Sequence, residues 1–471
     1  MTERLVVIGN GMAANRVVLE VLARAPDRFE ITVLGDEQRP AYNRVLLSGL
    51  LSGTEREADL ALPVPAGVRV LPGTRATWVD RHRRLVHTGL GGPLPYDRLV
   101  LATGSRPRLP VALAPREGVR GVFCFRTLDD ARRILRYARD ARRAVVVGGG
   151  LLGLESARGL QARGLEVTVV HAATHLLDRQ LDAGAGRVLA GSAARLGLTV
   201  LLGTRPTGLA GTDRVTGVRL AGGDTLPADL VVVATGVRPD TALAAAAGLP
   251  VERGVLVDDQ LRTADPRVSA LGDCAQHRGR VPGLADPAWD QARVLADQLT
   301  GADPAAAYGG SATVAKLKAA GLAAAAMGLP APERDDDELV VLAEPSRGIH
   351  RSAVVRDGRL VGATLLGDVR RSAALLQMLV RGTPLPAERA ALLVDFGGAV
   401  PAEVPVADLP DGEPICTCAG VTKGAVVAAV RGGLTGLGAV VDATRAGRGC
   451  GSCRPLLERV VSWAAGPPVR G

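Results

Sequence analysis

Four of the chain's six cysteines stand close together as Cys416-Thr417-Cys418 and Cys450-Gly451-Ser452-Cys453. A short gap, a long gap and a short gap can close four thiolates on one centre. Four thiolates are the ligand set of a structural zinc or of an iron–sulfur cluster. The first pair has a single intervening residue, whereas zinc knuckles have about two to four. Glycine and small polar residues crowd the second pair, Gly447-Arg448-Gly449-Cys450-Gly451-Ser452-Cys453, so backbone N–H groups can approach the sulfurs and tune a cluster's potential. Both features favour iron–sulfur over zinc. Disulfides would require export, and the apolar residues 5–8 run at once into a glycine turn with no cleavage site. No uninterrupted apolar stretch is long enough to span a bilayer. A cytoplasmic protein is expected, with its thiolates reduced and available to metal.

If the cysteines hold a redox centre, the rest of the chain should feed or drain it. Residues 5–8 read as a strand, Gly9-Asn10-Gly11-Met12-Ala13-Ala14 as a glycine turn, 15–25 as a helix and 30–34 as a second strand. That order sets a glycine turn against a helix N-terminus, where a pyrophosphate accepts backbone N–H bonds and feels the helix dipole. Gly9 makes the tight turn, Gly11 lets the phosphate approach and Ala14 keeps helix and strand close. Asp36, just past the second strand, is the candidate for the ribose hydroxyls, with Glu37 as its understudy. The pattern recurs at Gly148-Gly149-Gly150-Leu151-Leu152-Gly153-Leu154-Glu155, with a helix to residue 163 and a strand over 166–170. Gly148, Gly150 and Gly153 take the three glycine roles, and two dinucleotides are implied. The second strand runs into His171, where a carboxylate normally reads the NAD ribose. A charged hydrogen bond there is worth about 1.5–3 kcal/mol, so its absence leaves neither NADH nor NADPH selected.

Length and composition agree with several domains. At 471 residues the chain is too long for one core. Aromatics are only 2%, so Ala, Val and Leu must fill the cores. The net charge of +9 is arginine spread along the chain with no aromatic-plus-basic array, which argues against a nucleic-acid partner.

Three segments carry a resemblance. Tyr96-Asp97-Arg98-Leu99-Val100-Leu101-Ala102-Thr103-Gly104 and Ala228-Asp229-Leu230-Val231-Val232-Val233-Ala234-Thr235-Gly236-Val237-Arg238-Pro239 resemble the strand-to-Thr-Gly turns of the pyridine-nucleotide-dependent flavoprotein reductases. Val268-Ser269-Ala270-Leu271-Gly272-Asp273 resembles their second FAD motif. The resemblance implies an FAD domain at residues 1–110 and 241–305, interrupted by an NAD(P)H domain at 111–240. It adds Thr103, Gly104 and Gly236 to the cofactor-binding turns and gives the flavin's ribityl chain to Asp273. Glu155 would lie where the nicotinamide approaches the flavin; its other reading is a helix-surface carboxylate. The cysteine module, at 415–465 with short helices expected over 422–431 and 436–444, resembles the small [2Fe–2S] domain typified by bacterioferritin-associated ferredoxin. In that family all four cysteines bind the irons.

Finer matches are similar to the flavoprotein half of the assimilatory nitrite reductase large subunit. They are Ala41-Tyr42-Asn43-Arg44-Val45-Leu46-Leu47-Ser48, Pro287-Ala288-Trp289-Asp290-Gln291-Ala292, Lys316-Leu317-Lys318-Ala319-Ala320-Gly321, and the apparent hairpin that includes Asp357-Gly358-Arg359. Arg44 then becomes a candidate for the FAD phosphates or ring edge, with a surface salt bridge as the alternative. The implied fold is α/β: two Rossmann-like domains, a small α+β domain over 306–390, a proline-rich linker over 391–414 acting as a semi-extended spacer, and the small helical [2Fe–2S] domain.

Residues that are missing narrow the chemistry. Thiol-dependent members of this fold place cysteine beside the flavin, but Pro40-Ala41-Tyr42-Asn43-Arg44-Val45 carries no sulfur. Cys124 and Cys274 read as small buried fillers. His171, His175 and His350 read as surface or loop residues, and no cysteine set for sirohaem follows Cys453. The expectation is an NAD(P)H-dependent FAD/[2Fe–2S] oxidoreductase with no catalytic acid or nucleophile, leaning to NADH by its family. Its expected partner is a molybdenum nitrate reductase or a sirohaem nitrite reductase, and an oligomer is compatible with this reading. Alternatives are a rubredoxin or ferredoxin reductase feeding an oxygenase, and a redox-sensing binding protein.

Overall fold

The structure, a computed structural model, describes residues 2–89, 91–115, 118–312, 314–394, 405–416, 419–434, 436–447 and 453–466. The chain forms two compact units: Met1–Leu46 with Arg56–Pro107 and Val237–Ser311, and Leu47–Glu55 with Arg108–Gly236 and Ala312–Gly471.

Along the chain the first unit contributes β1 (Glu3–Ile8), α1 (Met12–Arg24), β2 (Phe29–Leu34), β3 (Arg69–Leu71) and β4 (Arg98–Leu101). The second then contributes β5 (Val122–Cys124), α2 (Leu128–Ala138), β6 (Arg143–Val147), α3 (Leu151–Gln161), β7 (Glu166–Val170), α4 (Ala183–Arg195), β8 (Thr199–Leu201) and β9 (Leu230–Val233). The first resumes with β10 (Val268–Ala270) and α5 (Ala285–Thr300). Each unit holds a five-stranded parallel sheet, ordered β10-β4-β1-β2-β3 in the first and β8-β7-β6-β9-β5 in the second. In both, the strand that precedes the glycine turn lies in the middle, as dinucleotide-binding sheets require.

The strand sequences account for this. β9 is Leu-Val-Val-Val and wholly buried, the continuous apolar run of a parallel strand covered on both faces. The core around the second sheet consists of valine, leucine and alanine, among them Val145, Val147, Val170, Val231 and Val233. Helix α1 buries Ala14, Val17, Val18 and Val21, one stripe at helical spacing. It ends at Arg24, since Ala25 precedes Pro26 and that position disfavours helix.

Further along the second unit lie β11 (Val314–Ala319), β12 (Leu322–Gly328), β13 (Glu338–Glu344), β14 (Ile349–Arg356), β15 (Arg359–Leu366) and α6 (Ser372–Arg381). The strands form an antiparallel sheet ordered β11-β12-β15-β14-β13, on which α6 buries Leu375 and Met378. The chain continues into β16 (Pro414–Cys416), β17 (Val421–Thr422), α7 (Lys423–Arg431), α8 (Leu437–Thr444) and α9 (Arg454–Ala465).

The linker expected over 391–414 is narrower than its prolines suggested. Leu392 and Leu393 bury themselves in the core of the antiparallel sheet. Val406 belongs to the core of α7 to α9, and the buried Lys423 Nζ donates to Leu409 O at 2.6 Å. Apolar side chains near both ends of the segment have a core to enter. That leaves 395–404 between them, outside the described residues. No described helix is long and apolar enough to cross a membrane.

Candidate dinucleotide and cluster sites

Both glycine turns have the shape that a pyrophosphate needs. Gly9 has φ +119°, and a Cβ on it would stand 2.1 Å from Ala102 O at the end of β4. Gly148 has φ +122°, and its Cβ would stand 2.3 Å from Ala234 O beyond β9. Gly153 admits no side chain either, since a Cβ would fall 1.9 Å from Gly148 O. By contrast, the space over Gly11 and Gly150 is open to 4 Å. Each of these two glycines caps its helix without a side-chain hydrogen bond, and neither first turn carries an acid. The N–H groups that open α1 and α3 therefore face open cradles, which suits an anionic dinucleotide at both turns. Ala14 is fully buried, as helix–strand packing requires.

Past β2, Asp36 is exposed and stands 3.8 Å from an Arg75 guanidinium nitrogen. Glu37 is committed elsewhere: Tyr42 Oη donates to Glu37 Oε2 at 2.8 Å, and Arg44 pairs with Glu37 Oε1. The Arg44 guanidinium also lies 4.8 Å over the Tyr42 ring. Arg44 thus makes the salt bridge held open as its alternative reading.

The Thr-Gly turns are pinned through their hydroxyls. Thr103 Oγ1 donates to Asp240 O at 2.6 Å, and Thr235 Oγ1 donates to Arg108 O at 2.5 Å. Gly104 and Gly236 take φ of +72° and +94° with open space over both. Asp273 accepts the Ser105 hydroxyl at 2.8 Å. The preceding Gly272 donates its N–H to Gln291 Oε1 at 2.7 Å, and Gln291 is fully buried on α5 with no hydrogen-bond partner for Nε2 among the described residues. No sequence motif marks Ser105 or Gln291 as a site residue; only the fold brings them to the Gly-Asp turn.

Glu155 is not a surface carboxylate. It is 6% exposed, and Oε1 accepts the Lys318 N–H of β11 at 3.1 Å. His171 and His175 do lie in the segment after β7. His350 does not fit the surface reading: it is buried at an inward position on β14. Its Nε2 stands 3.5 Å from Asp182 Oδ2, and burial pushes its pKa below the usual histidine value against the pull of Asp182. Cys274 is fully buried with its Sγ directed at Leu271 O and Leu101 O, and burial raises the thiol pKa. Cys124 is half-buried on β5, with its pKa also raised by burial.

In the cysteine module β16 and β17 form a small hairpin, and Thr422 caps α7 by accepting the Ala425 N–H at 3.3 Å. Cys416, 1% exposed at the end of β16, and Cys453, 9% exposed at the start of α9, enter one apolar cluster with Val426, Val440 and Leu457. Two sulfurs distant in sequence thus share the dry surroundings suited to a thiolate-bound cluster. Cys418 and Cys450 lie outside the described residues.

The model of the pyridine nucleotide-disulphide oxidoreductase family matches residues 3–292. The chain belongs to that family. FAD and NAD(P)H are the cofactors of a pyridine nucleotide-disulphide oxidoreductase of this kind. Residues 314–383 match the rubredoxin NAD+ reductase C-terminal domain, and 414–463 match the BFD-like [2Fe-2S] binding domain, which adds the cluster. The chain is 36% identical to a nitrite reductase [NAD(P)H] of Bacillus subtilis, over 98% of its own length and 58% of the relative's. It is 35% identical to the assimilatory nitrate reductase electron transfer subunit of the same organism, over 98% and 60%. It therefore spans about three fifths of these curated relatives. Among solved structures, putidaredoxin reductase in its covalent complex with putidaredoxin superposes with a TM-score of 0.74 at 28% identity, covering 83% of this chain and 95% of that one.

Proposed function

We propose that this chain is the NAD(P)H-oxidising, electron-transferring unit that serves a nitrate or nitrite reductase in nitrogen assimilation. The observation that carries the reading is the joining, in one chain, of two open glycine cradles to a cysteine module of the [2Fe-2S] type. When bound, FAD takes up the electron pair of a hydride and can release it singly, which suits a [2Fe–2S] cluster.

The residues bind and orient. Gly9, Gly11 and Ala14 hold the FAD pyrophosphate on the opening N–H groups of α1, and Asp36 takes its ribose. Thr103, Gly104 and Asp273 hold the polyol side of the same cofactor, with Asp273 oriented by Ser105 and its turn by Gln291. Arg44, paired with Glu37, is a candidate cation for the phosphates. Gly148, Gly150, Gly153 and Gly236 form the NAD(P)H cradle, and Glu155 fixes the helix that opens on it. Cys416, Cys418, Cys450 and Cys453 are the cluster's ligands. Neither Cys124 nor Cys274 acts as nucleophile, because burial raises the pKa of both thiols.

The likeness to putidaredoxin reductase supports a second reading, a reductase for a small ferredoxin or rubredoxin. Reconstitution separates the two. NADH oxidation should couple to nitrate or nitrite consumption when a purified molybdenum or sirohaem reductase is added, while the 471-residue chain alone leaves both anions untouched. Coupling only to a ferredoxin or rubredoxin would favour the second reading.

A further inference from the structure

The peptide of Gly149, inside the second glycine turn, is held on both sides. Its N–H donates to His171 Nδ1 at 3.1 Å, and its carbonyl accepts the Leu177 N–H at 3.0 Å. A Cβ at Gly149 would stand 2.8 Å from His171 Cγ and 2.6 Å from Leu176 Cδ2, so ring and leucine close over the turn. Because Nδ1 accepts, the ring proton belongs on Nε2. Nε2 faces Asp178 Oδ1 at 3.1 Å. Leu177 reaches this place with φ +53°, a left-handed backbone that a leucine adopts at a cost and that its burial and its bond to Gly149 hold in place. The loop after β7 is thereby folded back onto the glycine turn, and it delivers a carboxylate.

Position matters as much as charge. β7 pairs with β6 up to Val170 opposite Val147, so His171 is the first residue beyond the strand and lies level with the glycine turn. An acid at that point ordinarily reads the ribose hydroxyls of the nucleotide. Here the imidazole fills the place, 12% exposed, with its outer nitrogen bonded to a carboxylate that is 37% exposed. Asp178 Oδ2 has no protein partner among the described residues.

We propose that Asp178, oriented by His171, reads the adenosine ribose in place of the strand-end carboxylate and selects NADH over NADPH. This rests on the reading of Gly148 to Gly153 as the NAD(P)H cradle. A ribose 2′-hydroxyl can donate to the carboxylate, whereas a 2′-phosphate in the same place meets a like charge. His171 is a positioning residue: it holds the glycine turn with one nitrogen and the reading carboxylate with the other. The next residue, the exposed Arg179, is the cation that would favour the opposite choice.

Binding without turnover tests this. The FAD-loaded full chain is titrated calorimetrically with ADP-ribose and with 2′-phospho-ADP-ribose. The native protein should bind ADP-ribose at least tenfold more tightly, the size of effect of a charged hydrogen bond. Asp178→Asn should weaken ADP-ribose by about 10–100-fold and leave the phosphorylated compound no weaker, with FAD content and melting temperature unchanged. His171→Glu in the Asp178→Asn background returns an acid to the strand end and should restore the preference. If both compounds bind and Asp178→Asn leaves their ratio unmoved, Asp178 does not read the ribose. Tighter binding of the phosphorylated compound by the native protein would assign the choice to Arg179 and contradict the proposal. If neither binds, the cradle assignment itself is wrong.

Discussion

The Glu155 carboxylate on α3 accepts the backbone N–H of Lys318 on β11 at 3.1 Å, a bond between residues 163 apart in sequence. It ties the helix that opens on the second glycine turn to the edge strand of the antiparallel sheet. A buried N–H deprived of its acceptor costs about 1–3 kcal/mol. Glu155→Ala should therefore lower stability by about that amount, whereas Glu155→Gln, which keeps an acceptor oxygen, should lose less than half of it. Denaturant unfolding of the two variants measures the difference; equal losses would mean that the carboxylate's charge, not the bond, matters there.

His350 predicts a pH dependence. Burial holds its pKa below the usual value of about 6.5. A base with a lowered folded pKa binds fewer protons folded than unfolded in the interval between the two values. Stability is then fully present above about 6.5 and falls as the pH drops below it, down to the folded pKa. The melting temperature should decline between pH 7.5 and 5.5, and His350→Gln should flatten that decline. An unaltered slope in the variant would assign the effect to other groups.

Thiol chemistry should be absent from NADH oxidation. Cys274 is fully buried and Cys124 half-buried, and burial raises both pKa values, so neither is a thiolate near neutral pH. Cys124→Ser and Cys274→Ala should each retain NADH-dependent flavin bleaching within about twofold. Loss of bleaching in a folded, FAD-loaded variant would restore a role for that thiol.

What the sequence made legible is what backbone geometry imposes locally. Gly9, Gly148 and Gly153 could be read because any Cβ there would strike a carbonyl within a few residues of the turn or on the adjoining strand. Parallel strands such as β9 could be read from their unbroken apolar runs. The helices α7 and α8, expected over 422–431 and 436–444, lie at Lys423–Arg431 and Leu437–Thr444 because Thr422 and Gly436 start them. The rest depends on long loops. Asp178 reaches His171 only through the left-handed turn at Leu177, which no periodicity signals. Gln291 meets Gly272, and Lys318 meets Glu155, by folding alone. His350 departs from the surface expectation because a strand with histidine and arginine at its start looks wet, whereas its alternate positions face inward.

In the proposed route, electrons reach the partner through the cysteine module. The decisive measurement is partner turnover by a Cys416→Ser/Cys453→Ser variant that metal analysis shows to lack iron while NADH still bleaches its flavin. The native chain should carry one FAD and two irons, and the variant's delivery of electrons to the nitrate or nitrite reductase should collapse to background. Unchanged turnover in the iron-free variant would mean that electrons leave by another route and that the cysteine module does not carry them.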